Sequence, residues 1–354
     1  MTSKMLEEIR QQPVALERTL KSELRKFEKL KKRFEKSPPK MVILAARGTS
    51  DNAALFGRYL IEISTGIPVS MAAPSILTLY DASLNMRDAL VVAISQSGES
   101  TDTNVVLERA KAVGAVTVGI TNEANSSMAK LAEHVILVRA GREKSVAATK
   151  TYTGQMLALY LLAWALGAKI SLDELHHLPE WADAALKLED HIAGLSERYR
   201  FMEHAVVVGR GLNYSNAFEF ALKLMETCYV VAERFSAADL LHGPIAMVEH
   251  SFPAFLLTPV GVTWPSMKGL VEKLQNLKAE TLVITDQSNR EARELPTRSI
   301  VLPVKLGRRG AKPEELYTPI PYIIPAQIFS ACLAAQKGLD PDKPRALSKV
   351  TLTL

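Results

Sequence analysis

Cysteine is scarce in this sequence: Cys228 and Cys332 are the two in 354 residues. Two cysteines cannot build a disulfide framework, which points to a reducing, cytoplasmic setting. Long hydrophobic runs are missing as well. The longest apolar stretch, Met156 to Ala168, falls short of the about 20 residues a membrane span needs, so it is expected as a buried helix. The N-terminal Met1-Thr-Ser-Lys-Met-Leu-Glu segment lacks the apolar core of a signal peptide. No GxxxxGK[ST] nucleotide loop and no GxSxG elbow occur. No His, Cys, Asp or Glu cluster has metal-ligand spacing, and neither a metal nor another cofactor is expected. Excess charge of one sign is small, 43 basic against 38 acidic residues for a net +5. That balance suits an anionic small molecule as well as nucleic acid. With 47% hydrophobic and 23% charged residues, the composition is that of a globular chain and excludes fibrous or disordered classes.

Much of the basic excess sits between Lys21 and Lys40, where Glu23, Glu28 and Glu35 alternate with lysines and arginines. Leu16, Leu20, Leu24, Phe27 and Leu30 recur at helical spacing, so the segment reads as an amphipathic helix with a solvated basic face. A DNA-binding arm is the sharper reading, but one helix makes no helix-turn-helix. No nucleic-acid partner is expected.

The chain repeats itself. The apolar runs Met41–Gly48 and Ala205–Gly211 both end in Arg-Gly, with Arg47 and Arg210 separated by 163 residues (210 − 47). Ala89–Ile94 matches Phe252–Leu257, Val116–Asn122 matches Thr281–Asp286, and His134–Val138 matches Ser299–Leu302. Short continuous Val- and Ile-rich runs read as parallel strands covered on both faces. Helical stretches such as Thr101–Val113 and Ser127–Ala132 lie between them, giving βαβ units. The fold class is therefore α/β, with two tandem domains, each a parallel sheet flanked by helices. The expected boundaries are an N-terminal helical segment at 1–36, a first domain at 37–185, a second at 200–337 and a C-terminal tail at 338–354. Pro179 and the charged helix Lys187–Arg200 make the linker.

Ligands of open α/β sheets bind at the carboxyl ends of the strands. Two loops there stand out, Arg47-Gly-Thr-Ser-Asp51 and Ser95-Gln-Ser-Gly-Glu-Ser-Thr101. Hydroxyls and a glycine ahead of a helix N-terminus form a cradle for one phosphate monoester. The plainer reading is that these residues only cap their helices. The second repeat has no such loop, carrying Thr-Pro-Val-Gly-Val-Thr-Trp264 after Leu257. It is expected to supply different parts. Its first helix, Ser215–Tyr229, places Lys223 and Glu226 on one face at i, i+3, which is either chemistry or a surface ion pair. His242 precedes Gly-Pro, a turn signal that puts it on an exposed loop. His176 and His177 read as surface residues. Cys228 lies mid-helix, a poor position for a nucleophile.

With these residues in view, the chain resembles the isomerase half of glucosamine-6-phosphate synthase, a pair of tandem sugar-isomerase (SIS) domains. The resemblance spans nearly the whole chain. It rests on six motifs in order: Arg-Gly-Thr-Ser50, Ser-Gln-Ser-Gly-Glu-Ser100, Gly-Arg-Glu143 with Val-Ala-Ala-Thr-Lys150, Ala-Leu-Lys-Leu-Met-Glu226, Leu-His-Gly-Pro-Ile245 and Leu-Ser-Lys-Val-Thr351. It implies a flavodoxin-like three-layer fold in each domain. It implies that Gly48, Thr49, Ser50, Ser95, Gln96, Ser97 and Ser100 surround the sugar phosphate, and that Val146 and Ser348 contact the sugar through their backbones. Glu226 matches the carboxylate that shuttles a proton between C1 and C2, and Lys223 the lysine assisting at the C1 oxygen. His242 matches a ring-opening histidine donated to the neighbouring subunit, hence an expected homodimer. Lys349 matches a tail lysine that approaches the open-chain sugar. These roles are chemically coherent: one carboxylate can serve both carbons, a histidine titrates near neutrality, and a lysine amine can form an imine with a ketose.

The synthase carries an N-terminal glutaminase, whereas the SIS pattern here begins near Met41, and no glutaminase is expected. Without that nitrogen donor the same proton transfer favours the reverse direction. The expected activity is that of an SIS-type glucosamine-6-phosphate deaminase, giving fructose 6-phosphate and ammonia. Alternatives are a 6-phosphofructosyl-amino-acid deglycase, an aminotransferase-type isomerase subunit without its glutaminase, and a non-catalytic sugar-phosphate sensor.

Overall fold

The structure, a computed structural model, describes residues 3–308, 310–347 and 349. In chain order the first half runs α1 (Lys4–Arg10), α2 (Gln12–Lys36), β1 (Met41–Ala45), α3 (Thr49–Thr65), β2 (Val69–Met71), α4 (Ser75–Thr78), β3 (Ala89–Ser95), α5 (Thr101–Ala112), β4 (Val116–Thr121), α6 (Ser127–Leu131), β5 (His134–Leu137) and α7 (Lys150–Ala165). It continues with α8 (Leu172–His176), α9 (Leu178–Leu186), α10 (Glu189–Glu197), β6 (His204–Gly209), α11 (Tyr214–Cys228), β7 (Val231–Ser236), α12 (Ala237–Leu241), β8 (Pro253–Leu257), α13 (Trp264–Asn276), β9 (Glu280–Asp286), α14 (Arg290–Glu294), β10 (Arg298–Leu302) and α15 (Pro319–Gln336).

Two compact units emerge. One holds Gln11–Glu143 and Ala148–His176 together with Lys349; the other holds Lys144–Ala147 and His177–Ala346 together with α1. The first unit has a five-stranded parallel sheet of order β2-β1-β3-β4-β5. The second repeats it as β7-β6-β8-β9-β10. Both are the doubly wound order whose switch point lies between the first and third strands. The central strands are apolar on both faces because helices cover both: every residue of β3 is buried. Each sheet also has an edge strand, β2 or β7, that the repeated apolar runs do not announce. β2 is three residues long, and β7 reads Val-Ala-Glu-Arg-Phe-Ser with Val231 and Glu233 exposed. Edge strands see water on one side and so lose the continuous apolar signature.

In the first unit α7 is buried along almost its whole length, as expected for a helix apolar all round. α2 packs against it with Leu16, Leu20, Phe27, Leu30 and Phe34 inward. Its basic face is largely exposed, though Lys31 Nζ stands 4.3 Å over the Trp164 ring. Glu23 is fully buried on that helix; it accepts from the Leu137 N–H at 3.2 Å and pairs with Lys26 and Arg139 at 2.7 and 2.8 Å.

In the second unit Tyr199, Phe220, Phe255 and Phe329 form an aromatic cluster with centroids 5.1–5.8 Å apart. α1 joins this unit through polar contacts. The N–H groups of Lys4 and Met5 donate to the Asp342 carboxylate at 2.8 and 2.7 Å. Glu8, 4% exposed, accepts from the backbone N–H groups of Lys144 and Ser145.

At the start of β9, Glu280 receives a two-pronged contact from Arg198 at 2.9 and 3.0 Å and a third from Arg298 at 2.7 Å. The Arg198 hydrogen bond leads in holding its carboxyl down, to about 2 from an ordinary 4.5. A depressed folded-state pKa contributes stability that is present above the unfolded value and lost as pH falls through the folded one. Wild type should therefore exceed Glu280→Gln by about 1–2 kcal/mol at pH 7, allowing for solvent screening. The gap should close as pH falls from about 5 toward 2. Urea melts across that range showing a constant gap would refute the assignment.

Candidate active site

The switch point of the first sheet lies where β1 and β3 end, and both serine-bearing loops leave from there. Gly48 (φ 56) precedes α3 and offers no capping side chain. Ser50 is buried, its Oγ accepting from Gln155 Nε2 at 3.0 Å. In the second loop Ser95 Oγ accepts the Gly98 N–H at 3.1 Å, and Ser97 Oγ accepts the Glu99 N–H at 3.2 Å. These bonds coil the chain tightly. Gly98 has φ 68, and a Cβ there would fall 2.2 Å from Ser126 Oγ, so the turn needs glycine on both counts.

The capping reading does not hold for Ser100. Ser100 holds the N-cap position of α5, yet its hydroxyl accepts from no helix N–H; it donates instead to Asp102 at 3.3 Å. By contrast Ser126 does cap α6. The first turn of α5 thus keeps its positive end uncapped by that side chain. Arg47 spans the two loops, gripping Asp102 through Nε at 2.7 Å and Nη2 at 2.6 Å. Burial leads in raising the Asp51 carboxyl, with Arg47 opposing. Gln96, Ser97 and Ser100 remain half-buried at the loop surface, where an oxyanion can meet hydroxyls and helix N–H groups together.

The second group of candidates lies on α11. Lys223 is fully buried, so its ion pair is not a surface one. Its ammonium sits 2.6 Å from Glu226 Oε2 and 3.2 Å from Glu219 Oε1. Burial pulls the Lys223 pKa down, but the two carboxylates outweigh it and hold the amine above its ordinary range. Glu219 is fully buried, while the Glu226 side chain is 22% exposed. One carboxylate is therefore locked and the other reaches an open surface beside a permanent cation. This is the arrangement of a base that is oriented and can still meet a ligand. Sequence spacing could have found Glu219, which sits at i−4 from Lys223 on the same helical face.

His242 is exposed at the C-cap of α12, ahead of Gly243 (φ 138). Cys228 ends α11 rather than lying within it and is buried, with its thiol pushed up to about 11 chiefly by burial. Lys349 reaches Glu143 Oε2 at 3.3 Å. Glu143 is 4% exposed and is held by the Thr149 N–H at 2.9 Å and the Thr151 Oγ1 at 2.6 Å. Glu143 lies in the Gly-Arg-Glu motif but had no role by spacing, because its partner lies 206 residues on. The Val146 N–H donates to the Asp342 carbonyl at 3.3 Å. Ser348 lies outside the described residues. Among those residues no three His, Cys, Asp or Glu side chains are placed to hold a metal ion, and no helix is long and apolar enough to cross a membrane.

Comparison with known proteins follows the same two halves. A family model described as SIS domain matches residues 37–165 and 201–305. The glutamine–fructose-6-phosphate aminotransferase [isomerizing] of Pyrococcus horikoshii is 36% identical over 352 residues, covering 98% of this chain. The chain spans 57% of that relative's length. The C-terminal domain of glucosamine-fructose-6-phosphate aminotransferase from Francisella tularensis superposes with a TM-score of 0.86 at 29% identity, over 97% of this chain and 99% of that one. A glucosamine-6-phosphate deaminase from Thermotoga maritima shares the fold, with a TM-score of 0.78 at 22% identity over 99% of this chain and 100% of that one.

Proposed function

The chain belongs to the SIS-domain family, and from that premise we propose that it is an amino-sugar-phosphate isomerase working as a deaminase. Glucosamine 6-phosphate and water become fructose 6-phosphate and ammonia. The observation that carries this reading is the α11 arrangement: a half-open Glu226 held 2.6 Å from a buried, charged Lys223. The loops after β1 and β3 take the phosphate. His242 opens the ring, serving the site of a second copy in a homodimer. Glu226 removes the C2 proton as the C1 aldehyde oxygen gains one, giving an enolamine. It then returns the proton to C1, leaving an imine at C2. Water adds to that imine and ammonia departs. Lys349, drawn toward Glu143, belongs to the tail that meets the open-chain sugar. No step changes oxidation level overall. The deaminating direction takes water as its co-reactant, and the aminating direction takes ammonia.

The test supplies purified protein with glucosamine 6-phosphate and follows ammonia and fructose 6-phosphate together, with the mass of the active species read by light scattering. Equal release of both products by a two-chain species is the expected result. Turnover only from fructose 6-phosphate with ammonium would replace this reading by the aminating one. Binding of the sugar phosphate without turnover in either direction would leave a sensor.

A further inference from the structure

The second unit repeats the positive-φ glycine of the β3–α5 loop, with a different backbone at the N-cap that follows (Ser100 ψ 112, Thr263 ψ −20), and fills the space beside it with a side chain of its own. Gly98 and Gly261 lie 163 residues apart (261 − 98), the offset of the whole repeat, and both have positive φ, 68 and 120. Two residues after each glycine comes the N-cap of a long helix, Ser100 before α5 and Thr263 before α13. In neither case does the hydroxyl cap the helix. Both loops leave the third strand of their sheet, at the switch point where a doubly wound fold takes its ligand.

The difference is the occupant. Glu315, from the segment between β10 and α15, is 2% exposed and enters the loop of the second unit. Thr263 Oγ1 meets its Oε1 at 3.3 Å. A Cβ on Gly261 would stand 2.0 Å from its Oε2, so only glycine leaves room for the carboxyl. That Oε2 is buried and has no hydrogen-bond partner among the described residues. Burial leads in raising the carboxyl's pKa, while hydrogen bonding by its own backbone, by Thr263 and by the Val262 backbone opposes it. A buried carboxyl that meets the N-cap hydroxyl of α13 through one oxygen, and leaves its other oxygen beside Gly261 without a partner among the described residues, is a poor purchase for stability alone. It is what a tethered ligand looks like in a site shaped for an oxyanion.

We propose that the β8–α13 loop is a second oxyanion cradle, counterpart of the β3–α5 loop, and that the Glu315 carboxyl group is its resident occupant. A small carboxylate or phosphate is the class of ligand it would take once vacated.

The test is thermal unfolding of wild type, Glu315→Ala and Glu315→Gln in sodium formate and in sodium phosphate, each against sodium chloride at equal ionic strength. Glu315→Ala should melt below wild type. Formate should raise its midpoint saturably by about 3 °C or more. Wild type and Glu315→Gln, whose loops stay filled, should show no shift beyond chloride. If Glu315→Ala does not purify folded, its refolding yield in formate against chloride carries the same test. Failure of both anions to raise the midpoint or yield of Glu315→Ala would overturn the proposal. So would an equal rise in all three proteins.

Discussion

Replacing Glu226 by Gln is expected to lower turnover of glucosamine 6-phosphate by about 10³–10⁴-fold, the upper part of the range for a general base, because one carboxylate serves both carbons. Binding should hardly change. The amide is isosteric, its oxygen can still accept from the Lys223 ammonium now 2.6 Å away, and the phosphate loop lies on another unit of the chain. A fall in kcat with a sugar-phosphate Kd within about threefold of wild type therefore separates proton transfer from binding. The measurement is steady-state ammonia release beside calorimetric titration. A variant that keeps a tenth of wild-type turnover would mean that another group moves the proton.

Lys223→Met is expected to be costlier for the fold. It leaves Glu219, fully buried, facing Glu226 with no cation between them. Removing one partner of a buried ion pair typically costs about 3–5 kcal/mol, because the remaining charge stays desolvated. Two carboxylates without their cation also resist joint ionisation. The base should then need a higher pH to act, and the acid limb of the rate profile should move upward in the variant. Urea unfolding measures the first effect and a pH–rate profile the second. Stability within about 1 kcal/mol of wild type, with an unmoved profile, would show that Lys223 does not hold Glu226 in its working state.

What could be read from the sequence follows the physics of burial. β1, β3, β4 and their repeats were legible because strands covered on both faces are continuously apolar, and the edge strands β5 and β10 because each keeps a short Val-Ile-Leu or Ile-Val-Leu run. β2 and β7 were not, since one is three residues long and the other breaks its apolar residues with Glu233 and Arg234. The serine loops were visible as loops, but whether Ser100 caps α5 depends on where one hydroxyl points. Lys223 and Glu226 were visible as a helical pair. Their burial was not, because burial depends on packing from α15 and β7, which no local window contains. Glu143 and Lys349 meet across 206 residues, beyond any spacing rule. Gly261 was within reach, since it stands at the repeat offset from Gly98. It was hidden by the loss of the serines around it, and its positive φ emerged only with the structure.

The clasp on α1 has a consequence for synthesis. A seven-residue helix is not stable in water by itself. The groups that hold α1 come much later: Lys144 lies 136 residues beyond Glu8, and Asp342 lies 338 beyond Lys4. A ribosome adding about 5–20 residues per second needs on the order of tens of seconds to reach Asp342. Once α7 has been made, α2 can settle against it and Glu8 can take the Lys144 and Ser145 N–H groups, while Lys4 and Met5 still lack Asp342. α1 thus gains its last partner long after it is synthesised, and a nascent chain displays its leading turn to chaperones and proteases until Asp342 has emerged.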